Sequence, residues 1–237
     1  MRFDILTIFP NSFDSYLNES MIKRARAKKL VEFQVHDLRN YVKVAPRQAR
    51  GNLPPRRQVD DRPYGGGPGM VLKIEPIARA LDLILKVKSQ KSKVKSNVKI
   101  ILFSAVGKQF DAKMARDFAK KYDRIIMIAG HYEGVDARIK TLILNTGYLI
   151  QEISIGPYVL TGGELPALVV VDAVSRHIPG FLGKAESLEE KRYGIGFPVY
   201  TRPETFIHKG KKYKVPKILL SGDHKKIDAW RNKKRDD

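Results

Sequence analysis

Short apolar segments that alternate with helical patterns constrain the fold of this chain more than any other feature. Residues 3–9, 98–103 and 124–129 predict buried strands, and residues 31–36, 141–144 and 148–153 are further strand candidates. Helices are predicted over residues 13–29, 75–85, 111–122 and 164–178, with Asp111 as the N-cap of the third. This alternation predicts an α/β fold with a mostly parallel sheet flanked by helices.

Composition divides the chain into a large domain and a small one. Residues 1–180 carry the strand and helix patterns, residues 181–199 are rich in glycine and charge and predict a linker, and residues 200–237 form a small basic module. Residues 86–99 are a low-complexity Lys/Ser/Val stretch that cannot bury a core, so we expect a disordered basic insertion there. Residues 41–60 show no hydrophobic periodicity of a helix or a strand, and they predict a long loop.

The charge balance indicates a polyanionic partner. The chain has 45 Lys and Arg against 25 Asp and Glu, a formal net charge of +20, and the excess lies in three separate segments, residues 38–59, 86–99 and 202–237. Because this spread suggests a broad basic surface, we expect nucleic acid to be the partner. No apolar run reaches the length of about 18 residues that a membrane helix needs, and the first residues do not resemble a signal peptide. We therefore expect a cytoplasmic protein with no membrane partner.

The chain has no cysteine, which excludes disulfides, thiolate catalysis and cysteine-ligated metal sites. The five histidines show no metal-ligand spacing, so a metal site is not predicted and ordinary polar or packing roles are expected for them.

Three glycine-bearing turns follow predicted strands, at residues 104–107, 130–136 and 154–166. Ligands in parallel sheets bind outside the carboxyl ends of the strands. None of the turns matches a dinucleotide-binding or Walker A pattern. Taken alone, the glycines of each one are explained by an ordinary turn. Three of them at successive strand ends predict a ligand pocket.

Six segments occur in one order with family-like spacing: DDRPYGGGPGM at 60–70, GHYEGVD at 130–136, SIGPYVLTGGELPA at 154–167, VSRHIPG at 174–180, YTRPE at 200–204 and VPKILLSGDH at 215–224. Together they closely resemble the bacterial tRNA (guanine-37-N1)-methyltransferase family of the SPOUT class. The resemblance covers almost the whole chain except the Lys/Ser insertion and the extreme C-terminus.

The resemblance implies a fold with a deep trefoil knot in the C-terminal part of the α/β domain, an exception to the usual absence of knots. It also implies a small, mainly helical C-terminal domain for tRNA binding, which is shorter here than in relatives, and a homodimer whose guanine sites are each built from both subunits. S-adenosylmethionine would be the methyl donor, and Mg²⁺ is associated with the chemistry of the family. By family position the donor pocket would use Leu102, Phe103, Ser104, Gly130, Tyr132, Glu133, Gly134, Ser154, Ile155, Gly156, Tyr158, Leu160, Gly162, Gly163 and Pro166.

Guanine N1 carries a proton at pH 7, so methyl transfer needs a general base, and negative charge then grows towards O6. The resemblance assigns the O6 contact to Arg176, for which the alternative is a surface arginine at a helix C-terminus. The family has an aspartate base in the linker, but that place holds Lys191 here. We predict that Glu190, or as second candidate Glu189, is the base. The alternative is a solvated acidic run over residues 186–190.

Phosphate contacts are expected from basic residues of the long loop and of the C-terminal module, and the target guanine must leave its stack. The predicted RNA-binding residues are Arg47, Arg50, Arg56, Arg57, Arg62, Lys209, Lys211, Lys212, Lys225, Lys226 and Arg231. Two other functions remain open from the sequence. One is a knotted methyltransferase that modifies ribose or a ribosomal base, and the other is a catalytically impaired RNA-binding module.

Overall fold

A computed structural model describes residues 1–43, 57–89, 97–183 and 198–235 of the chain. The chain divides into two compact units, Met1–Phe181 and Leu182–Asp237. Within the described ranges, no helix is both long enough and apolar enough to cross a lipid bilayer.

The first unit is built on a five-stranded parallel sheet. Its strands are β1 (Arg2–Thr7), β2 (Glu32–Asp37), β5 (Val98–Gln109), β6 (Arg124–Ile128) and β7 (Ile150–Ser154), in the spatial order β2-β1-β6-β5-β7. Two short strands, β3 (Asp60–Asp61) and β4 (Val71–Leu72), pair antiparallel outside this sheet. The prediction of an α/β fold with a mostly parallel sheet is confirmed.

The helices of this unit are α1 (Asp14–Leu17), α2 (Ser20–Ala27), α3 (Ile74–Ser89), α4 (Ala112–Lys121), α5 (Arg138–Asn145) and α6 (Glu164–Ser175). The Asp111 side chain caps α4 by accepting a hydrogen bond of 2.6 Å from the Met114 amide, as predicted. The single helix predicted over residues 13–29 is instead two helices, α1 and α2, which follow a 3₁₀ turn at Pro10–Phe13. The break lies at Asn18 and Glu19, and Ser20, the first residue of α2, has a φ of 47°, outside the right-handed helical region.

Two further predictions were wrong in part. Residues 141–144, a strand candidate, belong to α5, because Ile139 and Ile143 are spaced four apart and both are buried. A short apolar run does not by itself distinguish a strand from a helix. The insertion predicted over residues 86–99 is narrower than expected, since α3 continues to Ser89 and β5 begins at Val98, and residues 90–96 lie outside the described residues.

The core explains why the central strands were visible in the sequence. All five residues of β6 are buried, and Ile100 and Ile101 of β5 are fully buried beside them. A strand in the middle of a parallel sheet covered by helices has no solvent face, so its apolar run is continuous. The core also includes Ile77, Ala80 and other residues of α3.

The strand β5 is longer than predicted. Pairing with β7 runs from Ile100 to Phe103, is interrupted by a register shift, and resumes at Lys108 and Gln109. The predicted turn at residues 104–107 is therefore a bulge within one strand. Bulges re-aim side chains and are common beside functional sites.

The second unit contains a β-hairpin that the sequence interpretation did not include. Strands β8 (Thr205–His208) and β9 (Lys211–Lys214) pair antiparallel, and a 3₁₀ turn at Lys217–Leu220 leads to helix α7 (His224–Arg235). Ile227 of α7 is buried. The described residues of this unit contain both a hairpin and a helix. That the domain is mainly helical therefore stays a prediction.

Candidate active site

A cavity of about 320 Å³ opens at the carboxyl ends of β5, β6 and β7. These strands are neighbours in the order β6-β5-β7 and run parallel, so the segments that follow them meet at one edge of the sheet. This is the edge where ligands bind in open α/β sheets.

All fifteen residues that the family positions assigned to the donor pocket line this cavity. They come from three separate parts of the chain, the bulge of β5 and the segments after β6 and β7. The lining also includes residues that the sequence interpretation did not select: Ala105, His131, Val135, Ala137, Lys140, Glu152, Ile153, Val159 and Thr161. Most of these lie inside the same glycine-bearing turns and could have been included on that ground.

The segment after β6 is held in place by backbone hydrogen bonds to the glycine-rich segment before α3. The Glu133 amide donates to the Met70 carbonyl at 3.0 Å, and the Leu72 amide donates to the Gly134 carbonyl at 2.9 Å. Gly69 has a φ of +86°, and a Cβ atom there would collide with the Glu133 side chain. The positive φ favours glycine at this position, and the missing side chain leaves room for Glu133 beside it.

The segments after β6 and β7 also touch each other. The Gly163 amide donates to the Gly130 carbonyl at 2.7 Å, and His131 and Gly162 form an antiparallel bridge. A Cβ atom at Gly163 would lie 2.7 Å from the Ala129 Cα atom, so the close approach requires glycine. Backbone therefore forms much of the cavity wall, which suits recognition of a flat polar ligand through N–H and C=O groups.

A buried carboxylate lies next to a residue of this wall. Glu164, the first residue of α6, is only 9% exposed, and its Oε1 atom accepts a hydrogen bond of 2.7 Å from the Thr7 hydroxyl at the end of β1. The other oxygen, Oε2, is 3.6 Å from Nδ1 of His131. That nitrogen is buried and has no hydrogen-bond partner among the described residues. The His131 ring makes edge-to-face contacts with the rings of Phe9 and Tyr132.

Two charged residues of the cavity lining were not predicted from the sequence, because their contact with each other depends on the fold. Lys140 of α5 and Glu152 of β7 form an ion pair, and both line the cavity. With Glu133, the lining carries two carboxylates and one ammonium group, a local excess of negative charge in a strongly basic protein. In the described part of the chain, no three His, Asp or Glu side chains converge as a metal site.

Comparison with known proteins identifies the family. The tRNA (guanine-1)-methyltransferase TrmD family matches residues 1–237, the whole chain. The chain belongs to this family. It is 42% identical over 236 residues to the tRNA (guanine-N(1)-)-methyltransferase of Carboxydothermus hydrogenoformans, covering 98% of this chain and 82% of that protein. The corresponding enzymes of Clostridioides difficile and Dictyoglomus turgidum are 42% and 44% identical, over 98% of this chain and 90% and 84% of theirs.

The family resemblance stated from the six sequence segments is thereby confirmed, and the chain is a methyltransferase of this family. Of the predicted catalytic residues, only Arg176 belongs to the described part of the chain, and it stands apart from the cavity lining. Arg176 follows the last turn of α6 and does not line the cavity, whereas Pro166 near the start of the helix does. Ten residues of helix separate the two, which is about 15 Å along the helix axis. Glu189, Glu190 and Lys191 lie outside the described residues.

The predicted RNA-binding residues are distributed over both units. Arg47, Arg50 and Arg56 lie outside the described residues, and Arg57 and Arg62 are exposed, with Nη1 of Arg57 donating to the Asn40 side chain at 2.8 Å. In the second unit the hairpin and helix α7 carry the others, of which all but the half-buried Arg231 are exposed: Lys209, Lys211, Lys212, Lys225, Lys226 and Arg231.

Proposed function

We propose that this chain transfers a methyl group from S-adenosylmethionine to N1 of guanine at position 37 of tRNA, beside the anticodon. One observation carries the proposal: the three chain segments to which the family resemblance assigns donor-binding residues converge on a single cavity at the carboxyl edge of the sheet. Family membership supports the reaction class, and the net charge of +20 supports a nucleic-acid substrate.

The residues of the cavity fit S-adenosylmethionine. The volume of about 320 Å³ lies at the lower end of the range for small-molecule sites, which starts near 300 Å³. The donor carries a sulfonium cation, and the carboxylates of Glu133 and Glu152 give the lining an excess of negative charge. When bound, S-adenosylmethionine supplies the methyl group on its sulfonium centre.

The task of the protein is to align the guanine and remove its N1 proton. Alignment alone lowers the barrier because it replaces an encounter between two molecules by a positioned attack. We assign proton removal to Glu190, with Glu189 as second candidate, since a carboxylate near the reacting nitrogen is a competent general base. Arg176 would donate to guanine O6 and stabilise the negative charge that develops there.

The position of Arg176 supports a site built from two copies of the chain. Along α6 this residue lies about 15 Å from Pro166, and unlike Pro166 it does not line the cavity of its own subunit. The intervening helix exposes apolar side chains, with Leu165 60% and Val169 44% exposed. We infer that a second copy covers this face and that Arg176 of each subunit serves the cavity of the other.

The trefoil knot belongs to the same proposal. Family membership supports it, and the segments that would form the knot touch each other through the Gly130 and Gly163 backbones. A wall built from knotted backbone would have little freedom to open, which suits a preformed donor site.

The proposal is tested by incubating the protein with labelled S-adenosylmethionine and an unmodified tRNA transcript. We expect label in the tRNA and arrest of primer extension at position 37, because an N1-methylated guanine cannot form a Watson–Crick pair. A transcript with adenine at that position is the control. Label in the control, or arrest elsewhere, would instead favour a different knotted methyltransferase, and donor binding without any transfer would favour an impaired RNA-binding module.

The general base is tested separately with Glu190→Gln. We expect turnover to fall by about 10²- to 10⁴-fold, the usual contribution of general acid–base catalysis. Donor affinity measured by calorimetry should change little. Glu186→Gln, in the same acidic run, is the matched control and should retain turnover; a normal rate for Glu190→Gln would remove this residue from the mechanism and direct the test to Glu189.

A further inference from the structure

The hairpin of β8 and β9 presents an exposed aromatic surface. The strand register places Phe206 opposite Tyr213 and His208 opposite Lys211. Residues directly opposite each other in an antiparallel pair share one face. We call these four residues the aromatic face of the hairpin. The other face carries Ile207 opposite Lys212 and Thr205 opposite Lys214.

The rings of the aromatic face form one cluster in which two of the rings lie almost parallel. The Phe206 and His208 rings are 6.1 Å apart at an interplanar angle of 15°, and the Phe206 and Tyr213 rings are 6.3 Å apart. The side chains of Phe206 and Tyr213 are each 55% exposed. Clustered exposed aromatic rings on a two-stranded hairpin are costly in water and mark an interaction surface.

The charge of the hairpin indicates which partner this surface fits. Residues 205–214 contain four lysines, at positions 209, 211, 212 and 214, and no Asp or Glu. This concentration of like charge repels a second copy of the same hairpin and attracts a polyanion. A flat apolar surface surrounded by cations matches an unpaired nucleobase attached to its phosphates.

We propose that the aromatic face stacks on an unpaired base of the tRNA, while the lysines of the hairpin bind the adjacent phosphates. This inference rests on the proposed function, because it specifies how the second unit holds the tRNA substrate. Stacking is tolerant of base identity, since every base offers a π-face. The hairpin would therefore contribute affinity for unpaired RNA, whereas specificity for guanine would depend on the site beside the cavity.

The test is an equilibrium titration of the full-length protein with unmodified tRNA transcript at several salt concentrations. Phe206→Ala should weaken tRNA binding by roughly 10-fold or more, the loss expected when a base loses its aromatic partner. Because no charge is removed, the slope of log K against log salt should stay at the wild-type value. Lys211→Ala should instead reduce this slope by somewhat less than one unit, the contribution of one phosphate contact.

Ile207→Ala is the matched control, because Ile207 is 59% exposed on the opposite face of the same strand. It should retain wild-type tRNA affinity, and equal losses for Ile207→Ala and Phe206→Ala would overturn stacking in favour of general damage to the hairpin. Phe206→Leu keeps apolar volume without an aromatic ring and should reproduce the loss; full affinity in this variant would also overturn the proposal. Circular dichroism checks that the variants are folded.

The remaining outcomes separate this inference from the proposed function. Unchanged tRNA affinity for Phe206→Ala, with normal methyl transfer by the wild-type protein, overturns stacking and leaves the function in place. A wild-type protein that neither binds nor methylates tRNA overturns both. A change of oligomeric state in Phe206→Ala without RNA, measured by sedimentation, would assign the aromatic face to a protein contact and overturn the inference.

Discussion

The two ends of strand β1 lie in contrasting polar surroundings. At the amino end, Asp4 is fully buried and accepts hydrogen bonds from Nε of Arg124 at 2.6 Å, from Arg2 and from Nε2 of His36 at 2.9 Å. Arg124 is itself buried and donates to the Ile84 carbonyl at 3.0 Å. Burial raises the pKa of the Asp4 carboxyl, but the hydrogen bonds from His36, Arg124 and Arg2 outweigh it and hold that pKa well below its usual range.

At the carboxyl end, the polar network is incomplete. Thr7 donates to the buried Glu164, but the other oxygen of Glu164 is 3.6 Å from Nδ1 of His131, beyond hydrogen-bonding distance. His131 lies in the cavity wall. A fully paired network stabilises a fold, whereas a partly satisfied one beside a cavity is typical of a functional site. The amino end of β1 therefore holds a paired network that stabilises the fold, whereas the carboxyl end borders the candidate site.

The largest effect is expected at the amino end. Asp4→Asn leaves the Arg124 charge buried without its counter-ion, which should lower the free energy of unfolding by about 3–5 kcal/mol. Urea unfolding measures this change. Donor affinity of the folded variant should stay at the wild-type value, and a fall in donor affinity as large as the fall in stability would contradict the separation of the two ends.

A surface pair supplies the control for this variant. Asp117 and Lys121 are 3.8 Å apart on α4, and their side chains are 41% and 66% exposed. Asp117→Asn should change the free energy of unfolding by less than about 1 kcal/mol, because exposed ion pairs contribute little.

A smaller effect, with a different signature, is expected at the carboxyl end. Thr7→Val removes the hydroxyl that donates to Glu164 and leaves a buried carboxylate oxygen unsatisfied, at a cost of about 1–3 kcal/mol. Because Glu164 begins α6 beside His131, donor affinity measured by calorimetry should fall as well. Thr7→Ser keeps the donor and should restore both quantities; a Thr7→Val variant with normal donor binding would show that the carboxyl end is purely structural.

The smallest effect concerns acid stability. The folded-state pKa of Asp4 is lowered, so its contribution to stability is complete above the unfolded-state pKa and is lost as the pH falls towards the folded-state value. Below a pH of about 4, the wild-type protein should lose about 1.4 kcal/mol of stability per pH unit more than Asp4→Asn does. Unfolding curves between pH 5 and pH 3 measure this difference, and parallel pH profiles for the two proteins would exclude Asp4 as the cause.

Most of the architecture was visible in the sequence because burial leaves a local pattern. The runs at residues 98–103 and 124–129 have no polar face, since both faces of their strands are covered, and this predicted parallel strands. The run at residues 141–144 was misassigned because four apolar residues fit a strand and a helix equally well. The cavity residues were found because contiguous glycine turns and family motifs carry them.

The side-chain contacts at the candidate site could not be predicted from the sequence. Thr7 and Glu164 are 157 residues apart, and Lys140 meets Glu152 only because α5 is a helix packed near β7. The separation between Arg176 and the cavity lining likewise follows from the direction of α6, and it supports the proposal that this residue serves the cavity of a neighbouring copy.

The amino-acid sequence by itself determined the α/β class, the family and the segments that form the cavity, because each depends on patterns within short stretches of chain. Only the tertiary structure decided which polar side chains meet, since the sheet order β2-β1-β6-β5-β7 makes neighbours of strands that are distant in the chain. That order is set by the packing of the whole unit, and no local pattern of hydrophobicity encodes it. The complete network at Asp4 and the incomplete one at Glu164 both result from this order.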